Sequence, residues 1–302
     1  MKILITGASG LVGTAATNAL RAGGQTVGRF VRPGGNFAPG DVRWDPAASV
    51  VYADAMEGAD AIIHLAGASI GEGRWTEDRK RILRSSRLDS TRILVDAIAK
   101  LRRKPRALLT ASAIGYYGSR GDEILTESSS NGNDFLAQLA RDWEAESLRA
   151  QALGVRTVLL RFGVILSARG GALPKMLTPF KLGVGGRLGD GKQWMSWVAL
   201  GDVVGVIRAA LAEDRYSGSI NVVAPNPVQN AEFTRALASA LHRPAIFPAP
   251  AFMLRLALGE MADELLLVSQ RVQPAKLLAS GFTFRYTDLQ PALRVILGGE
   301  GN

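Results

Sequence analysis

Gly7, Gly10 and Gly13 recur at three-residue spacing directly after the apolar run Lys2-Ile3-Leu4-Ile5-Thr6. Glycines so placed let the backbone turn tightly and let a pyrophosphate approach the amides that open a helix. A second chemistry lies some twenty residues on. No carboxylate stands between Gln25 and Gly40, where an enzyme using unphosphorylated cofactor carries an Asp or Glu for the ribose; Arg29 and Arg32 stand there instead. A guanidinium can fork onto a 2′-phosphate and stack on adenine, so NADP(H) is the expected cofactor, with Arg32 at the strand's end the better placed of the two. A third group is Ser112 with Tyr116 and Tyr117, where a phenol oriented by the serine could donate a proton. Asp122, Glu123 and Glu127 follow as carboxylates within reach of the same loop.

These residues need elements to hold them. Residues 2–6 are too short and too β-branched for anything but a buried strand, and 14–22 read as a helix with Ala15, Ala16, Ala19 and Leu20 against a sheet. A second strand runs from 26 to 31. A third, 60–67, ends in the small residues Ala66 and Gly67, against which a ligand could lie; His64 within it reads as a packed strand histidine. Trp44 and Asp45 are placed to border the adenine. Leu88, Thr91, Leu94, Val95, Ile98 and Leu101 predict an amphipathic helix over 87–101, with Arg87 at its start able to reach back towards the cofactor. Strands at 107–111 and 155–160 and a helix at 134–150 continue the alternation. Residues 167–192 read as a long glycine-rich connection, whose Lys181, Arg187 and Lys192 could cradle an anion. Helices near 202–211, 231–241 and 252–259, a strand at 218–223 and a tail to 297 complete the chain.

Composition narrows the field. At 302 residues the chain holds one large α/β domain, or a core with a smaller lobe. The absence of cysteine excludes disulfides, thiolate nucleophiles and zinc–thiolate sites, and no metal site is assigned. No leader precedes the first strand and no apolar stretch is free of charges long enough to span a bilayer, so a cytoplasmic protein is expected. Of the net charge of +9, nearly all falls between Gly73 and Arg106, with twelve basic against four acidic residues. No aromatic interleaving accompanies this patch. It reads as a solvated helix face partly used for cofactor phosphate, and nucleic acid is not the expected partner.

With these segments in place the chain resembles the extended short-chain dehydrogenases/reductases, specifically the atypical branch of epimerase-family proteins with a C-terminal domain of unknown function. The resemblance rests on Thr6-Gly7-Ala8-Ser9-Gly10-Leu11-Val12-Gly13, Arg74-Trp75-Thr76, Ser86-Arg87 with Ser90-Thr91, and Ser112 to Gly118. It continues through Trp143-Glu144, Gly170 to Leu173, Gln193-Trp194, Trp197-Val198 with Asp202, Gly259-Glu260-Met261, Gln270-Arg271-Val272 before Pro274, and Gly281-Phe282. It implies a doubly wound, parallel-sheet α/β Rossmann core (1–165 and 196–224) and a smaller C-terminal α+β substrate lobe (166–195 and 225–302). It implies NADP(H) held by Gly7, Ser9, Gly10, Leu11, Val12 and Gly13 at the pyrophosphate and by Val31 and Arg32 at the adenosine end. Leu65, Ala66, Gly67, Arg87, Val164 and Ile165 would line the rest. Homodimers are common among such relatives.

The catalytic pattern departs from the wider superfamily, whose Tyr stands four residues before a Lys. The matching helix here reads Phe135-Leu136-Ala137-Gln138-Leu139-Ala140 and contains no such pair. Tyr116, Tyr117 and Ser112 are the available replacements. Two functions are therefore expected to compete: an NADP-dependent oxidoreductase or epimerase acting on a small polar molecule such as a nucleotide-sugar-like one, and a non-catalytic NADPH-binding sensor.

Overall fold

The computed structural model describes residues 1–298; residues 299–302, the end of the expected substrate lobe, lie outside it. Its centre is an eight-stranded sheet. The first strands are β1 (Lys2–Thr6), β2 (Thr26–Val31), β3 (Val42–Asp45), β4 (Val50–Val51), β5 (Ala61–His64) and β6 (Ala107–Ala113). Strands Arg156–Phe162 and Gly218–Val222 extend it beyond β6. From one edge the order is Gly218–Val222, Arg156–Phe162, β6, β5, β1, β2, β3, β4, with every pair parallel except β3 with β4. The order reverses between β1 and β5, and open α/β sheets bind ligands at that switch.

Successive strand residues face opposite ways. Ile3, Ile5, Ile63 and Leu109 join Ala16 and Leu20 of helix α1 (Leu11–Ala22) and Val203, Val206 and Ile207 of helix Leu200–Ala212 in one apolar cluster. Leu4, Ile62 and Leu108 face Leu94, Val95 and Ile98 of α2 (Glu77–Lys100) in another. Full burial of each such side chain is worth about 1.5–3 kcal/mol. Helix α3 (Phe135–Leu148) lies beside α2 and is capped by Asp134, whose carboxylate accepts from the Ala137 amide at 2.8 Å.

The helix expected at 87–101 begins ten residues earlier. Thr76 caps it, accepting from the Arg79 amide at 3.2 Å, and Glu77 and Asp78 occupy its first turn, where carboxylates oppose the helix dipole. Its early turns show no continuous apolar stripe: Leu83 alone is buried there, clustered with Leu136 and Leu139, and ion pairs hold the rest. Lys80 meets Glu260 at 2.5 Å, and Arg84 meets Asp142 at 3.1 Å. The basic segment is thus largely a laced helix surface.

The connection expected at 167–192 contains a helix, Ala172–Lys181, concealed in sequence by Pro174 and Pro179. Its Leu173, Leu177 and Phe180 pack with Phe233 and Leu237 of helix Asn230–Leu241 and with Leu293 and Ile296 of helix Leu289–Gly298. Its glycines answer to packing: a Cβ on Gly185 would meet Phe180 at 2.6 Å, and one on Gly186 would overlap the Phe247 carbonyl. Lys181, Arg187 and Lys192 are exposed. Among the described residues, no helix is long and apolar enough to cross a membrane.

Candidate functional site

The turn after β1 is built by steric necessity. Gly7 has φ +65°, and a Cβ there would lie 2.8 Å from the Leu65 carbonyl; a Cβ on Gly13 would overlap the Gly7 carbonyl oxygen. The first glycine lets the chain reverse against β5, and the third lets α1 start close to the turn. Gly10 is the N-cap of α1 and its amide donates to the Gly7 carbonyl at 3.0 Å. A glycine cap has no side chain to occupy the first-turn amides, so those of Leu11 and Val12 keep their donors for an anion.

A cleft of about 1750 Å³ opens above this turn, across the carboxyl ends of β1, β2, β3 and β5. Of the expected cofactor contacts, Gly7, Ser9, Gly10, Val31, Arg32, Leu65, Ala66 and Gly67 line it; Leu11, Val12, Gly13, Arg87, Val164 and Ile165 do not. Trp44 and Asp45 also border it, and the Asp45 carboxylate accepts from the Ala47 amide at 3.1 Å. The sequence reading missed the wall that α2 supplies. Ile82, Ser86, Asp89, Ile93 and Lys100 face the cleft. Their spacing by three, four and seven along one helix was the signal that could have found them.

The two arginines of β2 and its end differ sharply. The Arg29 guanidinium bonds Asp41 at 2.5 Å, and the Asp41 carboxylate accepts also from the Arg29 and Ala38 amides. Asp41 is nearly inaccessible, and Arg29 with its neighbours holds its carboxyl below the usual range despite burial. Asp41 lies one residue beyond the carboxylate-free stretch Gln25–Gly40, and its oxygens are already engaged. Both arginines line the cleft, but among the described residues no carboxylate pairs with Arg32.

Beneath the cleft His64 joins three elements. Thr6 Oγ1 accepts from the amides of Leu65 at 3.0 Å and Ala66 at 3.1 Å, so its own proton goes to His64 Nδ1 at 2.8 Å. This assigns the ring proton to Nε2, which donates to Thr91 Oγ1 at 3.0 Å; Thr91 donates onward to the Arg87 carbonyl at 2.6 Å. Complete burial drives the imidazole pKa down to about 3, so the ring is neutral. The histidine is structural, as expected, and pins the Leu65-Ala66 backbone.

Arg87 reaches over this backbone and donates to the Ala68 carbonyl at 3.0 Å. A Cβ on Gly67 would stand 3.4 Å from its guanidinium carbon. Burial, and then the nearby Arg79, lower its pKa to about 10. Among the described residues it too has no carboxylate partner. The first turn of α1 meets the start of the 166–195 segment, because a Cβ on Gly171 would touch the Leu11 side chain at 3.0 Å. Val164 and Ile165 lie half-buried on strand Val164–Leu166, paired with strand Trp197–Ala199.

Ser112, Tyr116 and Tyr117 sit at the end of β6, away from the lining of that cleft. The serine does not orient a tyrosine, because its hydroxyl donates to Glu144 Oε1 at 2.6 Å. Glu144 holds Arg161 through two bonds, at 2.8 and 2.7 Å, and Arg161 donates to the Tyr117 hydroxyl at 2.9 Å. That hydroxyl donates to Asn221 at 2.6 Å. Tyr117 is fully buried, and burial pushes its pKa up to about 12. Tyr116 is half-buried, with the Arg161 guanidinium 3.5 Å above its ring. Among the described residues nothing bonds its hydroxyl, which makes it the free phenol of the pair.

Comparison with known proteins agrees with the fold. Residues 249–296 match a domain of unknown function. An epimerase family protein of Mycobacterium bovis is 42% identical over 294 residues, covering 96% of each chain, and one of Bacillus subtilis is 40% identical over 301 residues, covering 98% of each. The crystal structure of human epimerase family protein SDR39U1 with NADPH superposes with a TM-score of 0.90 at 33% identity, over 99% of both chains. Residues 3–223 match the NAD dependent epimerase/dehydratase family, and the chain belongs to that family.

Proposed function

We propose that this chain is an NADP(H)-dependent oxidoreductase or epimerase acting on a small polar substrate without the usual Tyr-Lys pair. The observation that carries the cofactor choice is the contrast at β2: Arg29 is neutralised by Asp41, whereas Arg32 at the cleft pairs with no carboxylate among the described residues. A 2′-phosphate supplies the missing anion, and an unphosphorylated ribose does not. The human relative crystallised with NADPH supports the same choice. The residues fit the cofactor: the Gly7–Gly13 turn and the first α1 amides would hold the pyrophosphate, Val31 and Arg32 the adenosine end, and Leu65 to Gly67 the floor beneath the ribose. When bound, the cofactor supplies or accepts a hydride.

This chain's own contribution to chemistry is narrower. Tyr117 is committed to Arg161 and Asn221, so Tyr116 is the residue assigned to proton donation, with Arg161 fixing its ring. A phenol at neutral pH serves as a proton donor and poorly as a base. The excursion 166–195 and the residues from 225 onward are assigned to the substrate side.

The test is turnover. Purified protein with NADPH is offered quinones, aldehydes and nucleotide-sugar ketones while absorbance of the reduced nicotinamide is followed. The expected result is oxidation with at least one class and its loss in Tyr116→Phe. Tight NADPH binding with no turnover on any class would replace this reading with that of an NADPH-binding sensor, which the absence of the Tyr-Lys pair favours.

A further inference from the structure

Two sequence motifs remain without a role in the cofactor site, Gln193-Trp194 and Gln270-Arg271-Val272, and the fold brings them together. The Arg271 guanidinium stacks on the Trp194 ring at 4.3 Å from its centroid. The indole is oriented from its edge, where Nε1 donates to Asp122 at 2.7 Å.

The backbone beneath this pair is fixed to the turn that carries Tyr116 and, through Ser196, to strand Val164–Leu166. Gln270 is buried, and its amide nitrogen donates to the carbonyls of Ile114 at 3.1 Å and Gly118 at 3.2 Å, so it spans the turn that carries Tyr116. Val272 is buried too, and its amide donates to Ser196 Oγ at 2.9 Å. The Ser196 carbonyl in turn accepts from the Val164 amide at 2.9 Å. Ser269, two residues before the short strand Arg271–Val272, is held by the loop that follows the Tyr116 turn, since its hydroxyl donates to the Gly121 carbonyl at 2.8 Å. With Gln270 and Val272 turned inward, strand alternation turns Arg271 the other way.

Arg271 therefore has a rigid mount, an aromatic platform and half-burial, yet among the described residues no carboxylate pairs with it. The other anchored arginines of this neighbourhood are satisfied: Arg161 by Glu144, and Arg120 by Glu123 at 2.8 Å. A guanidinium stacked on one face keeps its in-plane donors, and those donors match a carboxylate or phosphate in fork geometry. We propose that Arg271, on its Trp194 platform, grips an oxyanion of the substrate, a carboxylate or a phosphate, beside the Tyr116 turn. The assignment deepens the enzymatic reading above, and rests on it for the word substrate.

The experiment titrates inorganic phosphate, and separately malonate, into the full-length protein with and without saturating NADPH. The readout is the indole Nε1–H resonance of Trp194, identified by its loss in Trp194→Phe. The expected result is a saturable shift with one of the two anions, which also tells phosphate from carboxylate. Arg271→Gln should weaken that binding tenfold or more, and Arg271→Lys, which keeps charge but not the fork, severalfold, with NADPH affinity unchanged in both. No saturable shift with either anion, or equal affinity in both Arg271 variants, overturns the assignment; were Arg271→Gln not to fold, Arg271→Lys alone decides. A protein that shows the anion shift but binds no NADPH would sink the cofactor reading and leave Arg271 in place.

Discussion

Arginine, serine and tyrosine occur on both sides of the β5–β6 boundary, and their partners divide them into two kinds of site. On the β6 side, Ser112, Glu144, Arg161, Tyr117 and Asn221 form a buried chain in which the charge of Arg161 is answered by Glu144. On the β1–β2 side, Arg32 and Arg87 stand at or behind an open cleft, and among the described residues no carboxylate pairs with either. Buried polar groups that satisfy one another build a scaffold, whereas unanswered cations beside exposed backbone donors build a binding site. Residue type alone does not tell scaffold from site. Ser112 and Tyr117 look catalytic in sequence and prove to be bonded inward.

The sharpest way to break this contrast is Glu144→Ala. It strands the Arg161 guanidinium in the interior, and removing one member of a buried ion pair costs about 3–5 kcal/mol. Denaturant unfolding should show that loss, while the fraction that stays folded should keep its NADPH affinity in calorimetry. A matching collapse of affinity would mean that the two regions are not separable.

A smaller effect is expected from His64, the structural group on the binding side. Its folded pKa, about 3, lies below the ordinary histidine value, so between these limits the unfolded chain binds more protons than the native one. The neutral ring's contribution to stability is present above pH of about 6.5 and is lost as pH falls towards about 3. Unfolding measured at several pH values should therefore show wild type losing more stability on acidification than His64→Asn. Parallel curves would place a charged ring in the fold and contradict the assigned tautomer.

Much of the fold was legible because local signals agree with the global arrangement. The β-branched run of β1, the glycine turn and the spacing to β2 each point to the same unit, and the structure bounds β2 at 26 and 31 as the pattern did. The start of α2 was hidden because its first turns carry ion pairs around a single buried side chain, Leu83, too little for an apolar stripe. Helix Ala172–Lys181 was hidden because two prolines read as breakers; Pro174 lies in its first turn, where a missing amide hydrogen costs little, and only Pro179 lies further in. Within the site, Arg32 was chosen over Arg29 by position along the strand. That ranking could not foresee Asp41, since pairing between residues twelve apart depends on how the 32–41 turn folds back. Nothing in the sequence distinguished the freedom of Tyr116 from the confinement of Tyr117, because the partners of Tyr117 come from strands 44 and 104 residues away.

The account stands or falls on the anion that Arg32 answers. Isothermal titration of NADPH and of NADH into wild type and Arg32→Glu measures it directly. Loss of a charge-assisted contact and its replacement by a like charge should weaken NADPH on the order of 10–100-fold and leave NADH within about threefold. An equal loss for both coenzymes, or no binding of either by the wild type, would contradict it.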